Sequence, residues 1–132
     1  MKGYLLDTDI VVFLLRGKKG IEEKLRHINP SDIYVSDITV AELEYGNRCS
    51  GHYETNKIIL DNFLSKINII PFKTAISLYA KERFRLKESG RGIMDFDLII
   101  ACTAVSENLI MVTNNVSHFS RVENIIIENW VK

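Results

Sequence analysis

The stretch YLLDTDIVVFLL, residues 4–15, places two carboxylates between two apolar runs. Its first three residues are typical of a short buried strand that ends at Asp7. The run Ile10–Leu15 predicts a buried first helix, with Thr8 and Asp9 placed to cap it. Because burying an unpaired charge is costly, acids at this junction need either a capping role or a chemical one.

Strand and helix patterns alternate along the rest of the chain. Further strands are predicted at IYVS (33–36), INIIPF (67–72), LIMVT (109–113) and NIIIENW (124–130). Helices are predicted over 21–27, from residue 39 to about 46, over 55–67, over 74–88, and after Asp95 through FDLIIACTAVSEN. This alternation predicts one α/β domain over residues 1–132, with a mostly parallel central sheet flanked by helices.

Composition points to a globular protein without naming a partner. The 132 residues are 46% hydrophobic and 26% charged, with 17 basic and 17 acidic side chains. Residues 73–92 nevertheless hold six basic side chains against two acids, a local excess suited to a polyanion. Cys49 and Cys102 are expected to be free thiols. Without an apolar run of about 18 residues or a secretion signal, we expect a cytoplasmic protein and no membrane partner.

Several acidic and amide side chains are predicted at the carboxyl ends of the strands, where α/β sheets bind ligands. They are Asp7 after the first strand, Glu42 after the second, Asn114 and Asn115 after the fourth, and Asp95 and Asp97 from the side. Each also has a simple local role. Asp7, Asp9 and Asp95 suit helix caps, and Glu42 suits a capping box with Thr39.

Taken together, the acids favour a metal site. Three or more converging carboxylates repel one another unless a cation is present, and Mg²⁺ or Mn²⁺ prefers such oxygen ligands. A site of this kind neutralises a phosphodiester and acidifies water. The chain has no convincing nucleophilic triad. Its histidines, at positions 27, 52 and 118, lack metal-ligand spacing and are interpreted as surface or structural residues.

Four stretches in order resemble the PIN-domain family, in particular the VapC-type toxins of toxin–antitoxin pairs. They are YLLDTD at 4–9, VSDITVAELEYG at 35–46, GIMDFDLIIACTAV at 92–105 and LIMVTNNVSHFSRV at 109–122. The resemblance covers essentially the whole chain. It implies a single PIN domain, a Mg²⁺-dependent endoribonuclease in which Mn²⁺ is able to substitute, a homodimer, and inhibition by a cognate antitoxin.

The resemblance also implies a set of site residues. Asp7 and Glu42 match the first two family acids. Asp97 matches the third because it is the Asp that opens the DLIIA helix pattern. Asn115 matches a fourth position that is Asp in many relatives. Asp95 is expected to be a cap or an auxiliary metal ligand. Asp9 is expected to support the site, either as a helix cap or as a group beside the metal ligands.

From these matches we expect Asp7, Asp97 and Glu42 to form the metal site. Glu42 would also orient or deprotonate the attacking water, and Asn115 would donate a hydrogen bond. The RNA backbone would be gripped by basic side chains, namely Lys81, Arg85, Lys87 and Arg91. A structured RNA with an exposed loop is the expected substrate, since proteins read single-stranded RNA best.

Two alternatives stay open on the sequence alone. A catalytically silent PIN-like module would bind RNA or an antitoxin without cutting, and the amide at Asn115 leaves room for it. LLDTDIV also fits the D-x-D-x-V opening of haloacid-dehalogenase-like phosphatases. That reading makes Asp7 a nucleophile, makes Asp9 essential, and gives Glu42 no role.

Overall fold

The computed structural model describes residues 3–132, in which strands and helices alternate as predicted. The strands are β1 (Tyr4–Leu6), β2 (Ile33–Ser36), β3 (Asn68–Ile70), β4 (Ile110–Val112) and β5 (Ile127–Glu128). The helices are α1 (Thr8–Leu15), α2 (Ile21–Leu25), α3 (Asp37–Cys49), α4 (Tyr53–Leu64), α5 (Ile76–Glu88), α6 (Asp95–Ser106) and α7 (Val116–Phe119). Short 3₁₀ turns precede β2 and α5.

The five strands form one sheet in the order β3-β2-β1-β4-β5, and every pair is parallel. The predicted mostly parallel sheet is therefore confirmed. From β1 the chain builds outward through β2 and β3 on one side, then crosses to β4 and β5 on the other. The order of strands thus reverses between β1 and β4, and the carboxyl ends of these two strands are where an α/β sheet binds its ligand.

Strand β1 is buried on both faces because helices cover both sides of the sheet. Leu5 packs in the core that includes Met111 and the apolar face of α6, whereas Leu6 packs with Val112 and α1 on the opposite side. Both leucine side chains are fully buried. This placement explains why the strand reads as a continuous apolar run rather than an alternating one.

The start of α1 lies earlier than the apolar run predicted. The helix begins at Thr8, and Asp7 is its N-cap, with a carboxylate oxygen that accepts from the Thr8 backbone N–H. Thr8 and Asp9 are therefore inside the first turn, and the capping position predicted for them belongs to Asp7. A carboxylate still interacts favourably with the helix dipole at Asp9.

The predicted capping box of α3 is wrong. The helix begins two residues before Thr39, and the hydroxyl of Ser36 caps it by accepting from the backbone N–H of Ile38 at 3.0 Å. Glu42 consequently lies in the second turn rather than at the third helical position. Its carboxylate is left free for a contact outside the helix.

The remaining differences are at element ends. The predicted capping role of Asp95 is wrong, because α6 begins at this residue and Met94 is the N-cap. The segment NNVSHF (114–119), for which no helix was predicted, contains α7, whose Phe119 side chain is buried. Cys49 and Cys102 are free, as predicted. Among the described residues, no helix combines the length and the apolar character needed to cross a bilayer.

Candidate active site

Asp7 lies at the carboxyl end of β1, where the order of strands reverses. The Asp7 side chain is only 5% exposed, and the two oxygens accept different hydrogen bonds. Oδ1 accepts from the Thr8 backbone N–H at 2.8 Å, and Oδ2 accepts from the Thr113 hydroxyl at 2.9 Å. Thr113 directly follows β4, so both central strands fix the position of this carboxyl group.

Burial raises the pKa of Asp7 to about 7, and repulsion from Asp9 and Asp97 adds to the effect. Hydrogen bonds from Thr113 and Thr8 act in the opposite direction, since they favour the ionised form. Asp7 at the end of β1, Asp9 on α1 and Asp97 on α6 are therefore close enough for their charges to act on one another. A positive charge placed there would stabilise the ionised form of Asp7.

Glu42 reaches the same region from α3. Its Oε1 accepts a hydrogen bond of 2.6 Å from the hydroxyl of Thr8, the residue next to Asp7. The Thr8 hydroxyl also lies 3.0 Å from the hydroxyl of the fully buried Thr39. The Thr8 hydroxyl therefore links the half-buried Glu42, together with Thr39 of the same helix, to the end of β1.

The two acids of MDFD point to different surroundings. Asp97, half-buried, has its Oδ2 3.3 Å from Nε2 of His118 in α7. Asp95 faces away, because its Oδ1 accepts from the Tyr79 hydroxyl at 3.0 Å and lies 3.5 Å from Nε of Arg83. Residues two apart on a helix differ by about 200° in direction, which accounts for this separation.

Asn115 lies on the segment that follows β4. Its backbone N–H donates to the Thr113 hydroxyl at 3.0 Å, while its side chain is exposed and makes no capping hydrogen bond at the start of α7.

Sequence reasoning missed three side chains that contact the acids, namely the hydroxyls of Thr8 and Thr113 and the ring of His118. Thr8 was predicted only as a helix cap, Thr113 only as the end of a strand, and a histidine in a turn carries no signal of its own.

The donor set of this region fits a hard divalent cation. Asp7, Glu42 and Asp97 supply carboxylate oxygens, which suit Mg²⁺ and Mn²⁺. Asp7 and Glu42 each accept a hydrogen bond from a threonine hydroxyl, and Asp97 lies beside the His118 imidazole, in the way that outer partners commonly surround ligating carboxylates. In residues 3–132, however, no three His, Cys, Asp or Glu side chains are already gathered closely enough to enclose an ion.

Comparison with known proteins agrees with this geometry. The sequence profile of the PIN domain matches residues 4–125. The chain belongs to the PIN domain family. It is 39% identical over 132 residues to Ribonuclease VapC2 of Rickettsia felis, covering 98% of each protein. It is 32% identical to the tRNA(fMet)-specific endonuclease VapC of Shigella flexneri, covering 98% of this chain and 99% of the relative.

Solved structures agree with the PIN domain fold. The structure of VapBC2 from Rickettsia felis, bound to a DNA fragment from its promoter, superposes with a TM-score of 0.88 at 37% identity, covering 96% of this chain and 98% of that one. The structure of DNA-bound VapBC from Salmonella typhimurium superposes with a TM-score of 0.90 at 31% identity, covering 98% of this chain and 99% of that one. Membership of the PIN domain family excludes the dehalogenase-like phosphatase alternative.

The basic side chains expected to grip RNA differ in their surroundings in this PIN domain. Arg85 donates to the buried carboxylate of Glu82 at 2.7 Å and 2.9 Å, and to the backbone carbonyl of Arg121 at 2.9 Å. The remaining three side chains are exposed, namely Lys81, Lys87 and Arg91. Arg85 is thus engaged in holding α5 against the segment that follows α7.

A groove of about 190 Å³ adjoins the acidic region of the PIN domain, between α1, α3 and α4. Thr8 and Glu42 form the end nearest the acids, and Val12, Leu15 and Ile59 give it an apolar wall. Polar side chains of Arg16, Asn47, Ser50 and Asn56 complete the lining, so the groove suits a segment that combines polar side chains with an apolar face.

Proposed function

We propose that this PIN domain is a Mg²⁺-dependent endoribonuclease toxin, with Mn²⁺ able to substitute, controlled by a cognate antitoxin. The observation that carries the proposal is the buried carboxyl group of Asp7 at the point where the sheet reverses its order, with Glu42 bonded to the adjacent Thr8 and with the charge of Asp97 acting on Asp7. The relatives named as ribonucleases and as a tRNA-specific endonuclease support the choice of RNA. A single PIN domain over residues 1–132 belongs to the same proposal.

In this proposal Asp7 and Asp97 hold the metal, and Glu42 completes the acidic region. A divalent cation bound there would neutralise the charge on a phosphodiester and lower the pKa of water. Glu42, fixed by the Thr8 hydroxyl, orients the attacking water and accepts its proton. Asn115 donates a hydrogen bond to the phosphate or to water. In-line attack of the water oxygen on phosphorus would break the bond to the 3′-oxygen, which takes up a proton from solvent, and so would leave a 5′-phosphate and a 3′-hydroxyl.

The RNA contacts of the proposal are assigned to the exposed cations of residues 81–91. Lys81, Lys87 and Arg91 are free to contact the backbone, whereas Arg85 serves chiefly to hold Glu82. The segment leads into the first turn of α6, which carries Asp97. A structured RNA with an exposed loop fits a site that needs an accessible single strand.

The partners of the proposal are an antitoxin and a second copy of the chain. We assign the antitoxin to the groove beside Thr8 and Glu42, where it would exclude RNA from the acids. A homodimer is supported by the exposed apolar side chains of Phe84, Met94 and Phe96 on α5 and around the start of α6. An RNA substrate and two free cysteines fit a cytoplasmic protein.

Incubation of the purified protein with total cellular RNA tests the proposal. We expect new ends carrying 5′-phosphate and 3′-hydroxyl groups in Mg²⁺, no cleavage in EDTA, and recovery when Mn²⁺ is added in excess of the chelator. Sequencing of both ends gives the cleavage site. RNA binding that persists in EDTA without cleavage in either metal would favour a silent binding module, and cleavage that EDTA leaves unchanged would overturn the metal requirement.

A further inference from the structure

We propose that His118 is a positioning residue that holds Asp97 in the orientation needed to bind the cation. The proposal rests on the proposed function, because it assigns a partner to one of the metal-holding acids. Its starting point is the 3.3 Å distance between Nε2 of His118 and Oδ2 of Asp97. The contact joins α7 to the first turn of α6.

One oxygen of Asp97 lies 3.3 Å from the imidazole nitrogen, and the other is available to a ligand. Among residues 3–132, we find no hydrogen bond to Oδ1 of Asp97, and the side chain is 33% exposed. A carboxylate with one oxygen beside an imidazole nitrogen can ligate a cation through its second oxygen. Such outer partners orient metal ligands, and their loss typically weakens metal binding by roughly 10- to 100-fold.

The imidazole itself is held in place by the fold. The His118 side chain is only 21% exposed and meets the ring of Phe119 edge-on, with centroids 5.4 Å apart. Phe119 is buried in the core with α6. Its backbone N–H also bonds to the carbonyl of Asn115 at 3.2 Å, which closes α7. The ring therefore has a fixed base from which to orient Asp97.

One short segment thereby holds two of the three acids. The Thr113 hydroxyl donates to Asp7, and His118 contacts Asp97. Asn115 links these contacts, since its N–H donates to the Thr113 hydroxyl and its carbonyl accepts from Phe119. The segment 113–118 thus sets the spacing between the acids that come from β1 and α6.

Mn²⁺ affinity of the RNA-free protein, measured by water-proton relaxation, tests the inference. Gln places an amide nitrogen near the position of imidazole Nε2, whereas Asn places it near Nδ1. We therefore expect His118→Gln to bind Mn²⁺ within about threefold of wild type, and His118→Asn and His118→Leu to bind about tenfold more weakly or worse. His52→Leu, an exposed histidine far along the chain, is the matched control and should bind normally.

A double-mutant cycle separates this role from general support of the fold. In an Asp97→Asn background, His118→Leu should cause no further loss of Mn²⁺ affinity. The inference is overturned if His118→Leu binds as wild type, if Gln and Asn lose affinity equally, or if the His118→Leu loss is the same in both backgrounds. If His118→Leu fails to fold, the comparison of His118→Gln with His118→Asn still tests the inference. If Asp97→Asn itself binds Mn²⁺ normally, the assignment of Asp97 in the proposed function falls as well.

Discussion

Asp7→Asn is expected to abolish RNA cleavage and, in the absence of metal, to make the protein more stable above neutral pH. The loss of cleavage follows from removing a carboxylate at the centre of the proposed metal site. The gain in stability follows from burial, because the Asp7 side chain is 5% exposed and its pKa is raised to about 7. Functional sites commonly carry such a cost in stability.

The sign of the pH dependence follows from the direction of this shift. Between the unfolded pKa of 3.8 and the folded value of about 7, the folded protein binds a proton that the unfolded chain has lost. The contribution of Asp7 to stability therefore falls as pH rises through this range, by up to about 4 kcal/mol. Below pH 4 and above pH 8 the contribution is constant.

Asparagine fits the position of Asp7 without losing its contacts. Its amide oxygen accepts from the Thr8 N–H, and the Thr113 hydroxyl turns to accept from the amide nitrogen. Urea unfolding of both proteins in EDTA, at about pH 5 and about pH 8, measures the effect. The stability of the variant relative to wild type should rise with pH. A difference that is independent of pH would contradict the buried, protonated Asp7.

Asp97→Asn is expected to abolish metal-dependent cleavage, whereas Asp95→Asn is expected to retain it. The two acids lie two residues apart in MDFD, yet Asp97 faces His118 and the acidic region while Asp95 contacts Tyr79 and Arg83. Loss of the exposed Asp95 contacts should cost at most about 1 kcal/mol of stability. Initial rates of cleavage of one defined RNA in Mg²⁺ give the comparison.

The Asp95→Asn variant is the matched control for this prediction. It removes the same charge from the same helix turn, so it controls for a general change in attraction to RNA. Circular dichroism and thermal unfolding of both variants exclude loss of fold. Full activity in Asp97→Asn, or equal loss in both variants, would show that the geometry of α6 does not distinguish the two acids.

Much of the fold was predictable because strands and helices alternate clearly in the sequence. Burial of β1 on both faces explains why its apolar run predicts the centre of the sheet, and the parallel order then brings the end of β4 beside Asp7. The ends of the helices were less predictable. Ser36 and Thr39 are both good caps, and only the packed structure shows that Ser36 begins α3.

The contacts that hold the acids were not predictable from residue type. Thr8 was predicted as a helix cap and Thr113 as the end of a strand, and their hydroxyls become donors to the acids only when α3 and β4 are placed beside β1. Arg85 carries the same sequence signal as the neighbouring cations, and only the burial of Glu82 gives it a different partner. The resemblance already favours Asp97 over Asp95, but the different contacts of the two side chains appear only once the start of α6 fixes their directions.

The central claim is that Asp7 and Asp97 hold a divalent cation between β1 and α6. An anomalous difference map from crystals soaked in Mn²⁺ tests it most directly, since the map locates the ion itself. We predict a single strong peak within coordination distance, about 2.1 Å, of carboxylate oxygens from both Asp7 and Asp97. A map with no peak at these two side chains, or with its peak beside Asp95 instead, would contradict the account.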